Sequence, residues 1–400
     1  MPTTPAEGQS SIQPKPSKAT RAKTPSRVRF TPGKEFTPVL KKRVSEYFET
    51  TGLSRRDSPK IYLKTFIICS WCALSYWLLV MTKLPLWGTL IAAVSLGFAM
   101  AGIGFNVMHD GGHKAFSKSK FVNKTMALSL DVLGGSSYYW YWKHNYLHHS
   151  FPNIHGHDDD LNVGPLGRLA PQQDSYWFHR YQQIYMWFLY GLLPAKWQLW
   201  DDFYIYYTGK MMDQPIPRPK GRELFFFITG KILFAALAFV IPLMYASVGM
   251  VILFYFMVTF VEGLALAITF QMAHCVEEAE FPDKIPGTNK IDNEWCVHQI
   301  ETTVNFAKNN RFLTWYMGGL NFQIEHHLFP KISHIHYPAL SNIVKKTCEE
   351  FGIKYQESPS FRHSLYSHYK LLKDLGKPVP VVQVVPASNS QGISTESEVL

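Results

Sequence analysis

Charge is scarce in this chain: Asp, Glu, Lys and Arg make up only 18% of its 400 residues. What charge there is runs basic, with a formal net of +10. The basic residues form no stripe and no recognisable binding motif, which argues against nucleic acid as the partner. They flank long apolar runs instead. Cysteine is sparse too, limited to Cys69, Cys72, Cys275, Cys296 and Cys348. Cys69 and Cys72 sit inside an apolar run and read as lipid- or helix-facing residues. No disulfide framework follows, and a reducing compartment fits. Residues 1–60 hold no apolar core, so no secretory signal is expected there. Acid is missing from the start of the chain, where Glu7 is alone before Glu35. Residues 1–35 are rich in Pro, Ser, Thr, Lys and Arg and read as a disordered basic tail. An organellar transit peptide shares that composition, but the prolines work against the amphipathic helix it needs. Residues 376–400 read as a second disordered tail, leaving 36–375 as one domain.

What the chain has is apolar length. Runs at about 61–81 and 86–108 are separated only by Thr82-Lys83-Leu84-Pro85. Runs at about 224–244 and 248–272 are separated only by Tyr245-Ala246-Ser247. Each is long enough to cross a bilayer as a helix. The expected fold is an all-α integral membrane protein with four transmembrane helices in two hairpins. The flanks 1–60, 109–222 and 273–400 carry the Lys and Arg, and the two hairpin loops carry one lysine between them. The positive-inside rule then puts both termini and the middle block on the cytoplasmic side, as a helical cap. Either a bacterial inner membrane or the endoplasmic reticulum fits. Within the cap, Tyr176–Tyr207 is crowded with Trp and Tyr, as in helices lying at a membrane–water interface. Residues 36–58 place apolar residues at roughly helical spacing and read as a surface helix leading to the membrane. Lys231 is expected to snorkel to the headgroups. Glu262, inside the fourth run, is a costly intramembrane carboxylate.

Three histidine clusters stand beside these runs: His109-Asp-Gly-Gly-His113, His144-Asn-Tyr-Leu-His148-His149 and Gln323-Ile-Glu-His326-His327. An i, i+4 pair on a helix puts both rings on one face. Imidazole suits iron, zinc, copper and nickel. Seven imidazoles are too many for one tetrahedral ion and about right for two. The topology, read without the histidines, puts all three clusters on one side. Each ligand ring needs its outer nitrogen hydrogen-bonded. Asp110, Asp158, Asp159, Asp160 and Glu325 are local candidates for that duty.

The clusters resemble the three histidine boxes of membrane fatty acid desaturases, down to the Ser150-Phe-Pro152 and Leu328-Phe-Pro330 that follow the second and third. The resemblance spans roughly residues 60–370. Gln323, opening the third box, resembles the front-end type, which inserts a double bond between an existing one and the carboxyl end of the acyl chain. That family implies a non-haem di-iron centre, O2 as co-substrate and electrons from an external donor. It carries His109, His113, His144, His148, His149, His326 and His327 over as metal ligands, with no catalytic residue separate from the metal centre. His274, at the end of the fourth run, is the candidate eighth ligand. Asp110, Gln323 and His298 are candidates for supporting positions. Phe270 stands where the stearoyl-type branch has an asparagine, so that feature does not carry over. The His-Pro-Gly-Gly signature of a fused cytochrome b5 domain does not occur in this sequence. A separate cytochrome b5, or a ferredoxin with its reductase, is therefore the expected donor. The expected substrate is an unsaturated acyl chain on coenzyme A or a lipid.

Three other chemistries fit histidines at a membrane. A hydroxylase or a sphingolipid desaturase could use the same scaffold. A metal transporter would repeat polar residues along its spans, whereas these histidines lie outside them. A zinc hydrolase would be indifferent to oxygen and reductant.

Overall fold

The computed structural model describes residues 28–33 and 35–378. Of the tails expected at 1–35 and 376–400, residues 1–27 and 379–400 lie outside the described residues. Among the described residues, four helices are long and apolar enough to cross a membrane: α2 (Pro59–Met81), α3 (Leu86–Gly112), α4 (Arg222–Leu243) and α5 (Val248–His274). They match the four apolar runs, each extended by a few residues. A shorter helix, α1 (Phe36–Thr51), precedes them. Proline sets the starts of two spans. Pro59 opens α2 behind an extended Ser58, and Pro85 stands immediately before α3 in extended backbone. Neither position needs the N–H that proline lacks.

The core of the membrane-facing part is α3, packed against α2 on one side and α5 on the other. Lipid offers helices no hydrophobic drive to associate, so close backbone approach through small residues does that work. Gly97 is the tightest point on α3. A Cβ there would lie 2.7 Å from both the Val258 carbonyl oxygen and the Val261 side chain on α5. Trp71 Nε1 donates to Ser95 Oγ at 2.8 Å, and Ser75 Oγ lies 2.8 Å from the same atom, joining α2 to α3. Gly97→Leu should sharply lower the yield of monodisperse protein in detergent. Wild-type elution would contradict this packing.

The structure departs from the sequence expectations at three places. Residues 28–33 do not continue the disordered tail: Arg29–Thr31 forms a strand, β1, parallel to Lys290–Glu294 (β2). Val28 is buried beside Phe151 and Ile154, and the Phe30 ring stacks at 6.2 Å on Phe151. Two apolar side chains suffice to anchor a segment that is otherwise basic and polar. The apolar face of α1, with Phe36, Leu40, Val44 and Phe48 at i, i+4 spacing, is buried against the helix Tyr337–Glu350 and not offered to lipid. Burying those four side chains within the protein removes them from water as fully as a membrane would. Lys231 does not snorkel. Its ammonium turns inward to Asp202 Oδ2 at 2.7 Å and the Gly134 carbonyl at 2.5 Å. The adjacent Gly230 packs on Asp131, so this face of α4 looks at protein. A cation in a low-dielectric layer is held far better by a carboxylate than by nothing.

The middle segment, 120–208, is a run of short helices, and its Trp177, Trp200, Tyr204 and Tyr207 are exposed. The C-terminal portion supplies the helices Trp295–Glu301, Gln323–Leu328, Tyr337–Glu350 and Phe361–Leu375. Glu262 is buried on α5, and its Oε2 has no hydrogen-bond partner among the described residues.

Candidate metal centre

The ends of α3 and α5 bring the first histidines together. Gly104–Met108 of α3 is a π-turn, after which an ordinary turn carries His109. The amide of His113 donates to the His109 carbonyl at 3.0 Å, so the pair keeps its i, i+4 geometry. The second cluster is built differently. Tyr141–His148 is a π-helix, and the His149 amide donates to the His144 carbonyl at 3.0 Å. In an α-helix a residue five positions on would point roughly 140° away. The wider turn closes i to i+5 instead. His148 and His149 therefore flank His144 on one face. The third cluster lies on the helix Gln323–Leu328, where Gln323, His326 and His327 occupy i, i+3 and i+4.

All eight histidines predicted as ligands are buried and converge. His109, His113, His144 and His326 each offer a nitrogen within 4.8 Å of the others. His148, His274 and His327 form a second such group, and His149 joins His326 and His327 between them. His113 and His144 approach to 3.1 Å through their Nε2 atoms. Nitrogens bound to one ion at about 2 Å sit about 3 Å apart.

The outer nitrogens test whether these rings are aimed at an ion. His148 Nδ1 lies 3.1 Å from both carboxylate oxygens of Asp158. His327 Nδ1 meets Gln299 Oε1 at 2.8 Å, His274 Nδ1 the Thr302 carbonyl at 3.2 Å, and His326 Nδ1 the Tyr337 hydroxyl at 3.3 Å. With Nδ1 tied outward, Nε2 is left facing the centre. The Nε2 atoms of His109, His148, His326 and His327 are buried there without a hydrogen-bond partner. Outer hydrogen bonds of this kind fix tautomer and ring orientation in metal-binding histidines. The residues present fit a metal centre.

The electrostatics agree. Burial, then repulsion from neighbouring imidazoles, pushes His113, His144, His149, His326 and His327 well below the ordinary histidine range. Neutral rings are the form that ligates. His148 differs. Burial acts to lower it, but Asp158 and then Asp160 outweigh burial and raise it.

The supporting candidates divide. Gln323 joins the cluster, its amide 3.0 Å from His274 Nε2. Asp158 takes the role expected of it. Asp110 does not: it contacts His334 Nδ1 at 2.9 Å and Ser333 Oγ at 3.3 Å. Consecutive helical residues point about 100° apart, so the neighbour of His109 looks away from the centre. Glu325 likewise accepts from Asn305 and Tyr355. Asp159 faces Lys143 at 3.3 Å, whereas Asp160 stands between Lys143 at 3.4 Å and His148 Nδ1 at 3.4 Å and shares the role of Asp158. His298 is buried outside the ring, its Nε2 against the Pro152 carbonyl at 3.0 Å. Sequence reasoning missed Gln299, Tyr337 and Thr302. Gln299 adjoins His298, a candidate from the sequence, but nothing in the sequence pairs it with His327.

A cavity of about 690 Å³ reaches His144 and His274. Trp140, Leu189, Leu266 and Phe270 contribute to its apolar wall, and Lys143, Asp159 and Lys196 lie on its polar side.

Residues 85–359 match the family model described as fatty acid desaturase. This chain belongs to the fatty acid desaturase family. It is 39% identical over 356 residues to the sn-1 linoleoyl-lipid 6-desaturase of Synechocystis sp., covering 88% of this chain and 99% of the relative. It is 37% identical over 358 residues to the enzyme of the same name from Arthrospira platensis, covering 88% and 95%. The acyl-lipid (8-3)-desaturase of Physcomitrium patens is 36% identical over 346 residues, covering 86% and 72%. The histidine groups are compatible with a metal centre in an enzyme of this family.

Proposed function

We propose that this desaturase inserts a cis double bond into an unsaturated acyl chain, between an existing double bond and the carboxyl end. The observation that carries the proposal is the convergence of eight buried imidazoles, two of which, His144 and His274, line a large and partly apolar cavity. The names of the relatives support an acyl-lipid substrate over a coenzyme A ester. The overall change removes two hydrogens from adjacent methylenes and reduces O2 to two waters. It consumes two electrons and two protons from outside.

Two irons are the reading for the metals, with His109, His113, His144 and His326 around one and His148, His274 and His327 around the other. His149 lies between the groups. When bound, the irons would supply the oxidising power that an unactivated methylene demands. The chain's own residues do the positioning. Asp158, Gln299, Thr302 and Tyr337 hold ring orientations through Nδ1. Trp140 and Phe270 keep the adjoining cavity wall apolar, which excludes water and fixes the acyl chain against the centre. The amide of Gln323, turned by half a rotation, offers Oε1 to the point that its nitrogen now faces. Gln323→His should therefore lower turnover less than loss of a box histidine. An equally dead variant would assign Gln323 a direct part at the metal.

Residues 36–375 form the catalytic domain in this reading, with α2–α3 and α4–α5 as two transmembrane hairpins. The excess of Lys and Arg outside the spans supports a cytoplasmic cap. That basic face suits an acidic donor such as a free cytochrome b5 or a ferredoxin with its reductase. The test is expression in a host fed defined polyunsaturated acids, with double-bond positions read by mass spectrometry. A new bond on the carboxyl side of an existing one is expected. Hydroxylated products, or none that depend on oxygen, would overturn the reading.

A further inference from the structure

A second cavity, of about 500 Å³, opens beside the start of α2. Lys60, Leu63, Lys64 and Ile67 of α2 line one wall, at i, i+3, i+4 and i+7 on a single face. Lys308, Arg311, Thr314, Trp315 and the segment at His334 close the other side. No acid lines it. Lys308 is neutralised by Glu357 at 2.6 Å. Lys60, Lys64 and Arg311 have no carboxylate within ion-pair distance among the described residues.

Lys64 is 6% exposed, which is unusual for a lysine without a carboxylate partner. Its ammonium is 2.9 Å from His334 Nε2 and lies over the Trp315 ring at 5.4 Å. His334 Nδ1 faces the Asp110 carboxylate, so Nε2 is the free acceptor and takes one N–H from Lys64. Two of the three ammonium donors remain, in a cavity that also holds Lys60 and Arg311.

The surface next to the cavity has the opposite character. Leu63 and Phe66 on α2, and Phe312 beside Arg311, are each more than 60% exposed. One buried lysine, two exposed cations at the mouth and bare apolar side chains beside them, at the end of a membrane span, match an anionic headgroup joined to hydrocarbon tails. A free anion would satisfy the cations and leave the apolar side chains uncovered. We propose that this cavity binds a membrane lipid through its anionic headgroup, at a site separate from the cavity that reaches the histidines. The site rests on α2 being a membrane span, and not on the chemistry assigned to the metal centre.

The test titrates the full-length protein in a neutral detergent with phosphatidylglycerol, phosphatidylcholine or inorganic phosphate, and reads bound species by native mass spectrometry. Phosphatidylglycerol should be retained in preference to phosphatidylcholine, and phosphate should displace it only in large excess. The double variant Lys60→Ala/Arg311→Ala should weaken phosphatidylglycerol retention by about tenfold or more. Both side chains are exposed, so the fold should tolerate their loss. Equal retention of the two lipids would overturn the proposal, as would undiminished retention by the variant. Binding of inorganic phosphate as tightly as the lipid would overturn it too. Desaturation by the same variant in phosphatidylcholine bilayers should match wild type, so the lipid site and the metal centre are judged by separate readouts.

Discussion

His327→Ala is expected to cut desaturation by about 100-fold or more and to release metal, while the chain still inserts in the membrane. His327 is the residue on which the second group of imidazoles depends. Its Nε2 faces His148 and His274, its ring stacks at 4.3 Å on His149, and its Nδ1 is fixed by Gln299. Removing it leaves two nitrogens where three converged, and exposes the Gln299 amide to a void. Loss of a buried side chain also lowers stability, typically by a few kcal/mol. The control is therefore His298→Ala, an equally buried histidine whose Nε2 is spent on the Pro152 carbonyl. It bears a comparable packing loss without removing a ring of the centre. The comparison needs metal content, membrane association and product formation for both variants. If His298→Ala is as inactive and as metal-poor as His327→Ala, packing explains both and the ligand assignment falls.

Asp158→Asn should cost about 10- to 100-fold in activity or metal affinity. The carboxylate contacts His148 Nδ1 and also accepts the amides of Asn153 and Asp160. An amide keeps the size and one acceptor oxygen but loses the charge that favours a hydrogen on Nδ1. His148 would then present its Nε2 to the ion less reliably, although its position barely changes. Metal binding, followed with the membrane-extracted protein, should weaken at unchanged secondary structure. A variant with wild-type affinity would show that the Asp158 charge is not what orients His148, Asp160 remaining 3.4 Å from the same Nδ1.

Much of this was legible in the sequence because two periodicities are strong. Apolar runs of about twenty residues have one common solution in a bilayer, and the helices α2 to α5 follow them closely. Histidines at i, i+4 beside those runs have few alternative explanations, and His274 could be placed because it ends α5. Other features depend on partners that spacing cannot supply. Lys231 reads as a headgroup-seeking cation until Asp202 is brought against it. Asp110 reads as an attendant of His109 until the turn of the helix sends it to His334. The π-helix at Tyr141–His148 is the least legible element of all. Nothing in Tyr-Trp-Lys-His-Asn-Tyr-Leu-His announces the extra residue per turn, yet that turn lets both His148 and His149 face inward beside His144.

The order in which the ligands are made carries a consequence for the cell. One group closes only with His326 and the other only with His327, both far along the chain from His109. During synthesis all four spans leave the ribosome before either group is complete. On the proposed ligand assignment, a complete metal site therefore follows membrane integration. On the same assignment, metal starvation is expected to leave inserted, full-length apoprotein that later metal can complete.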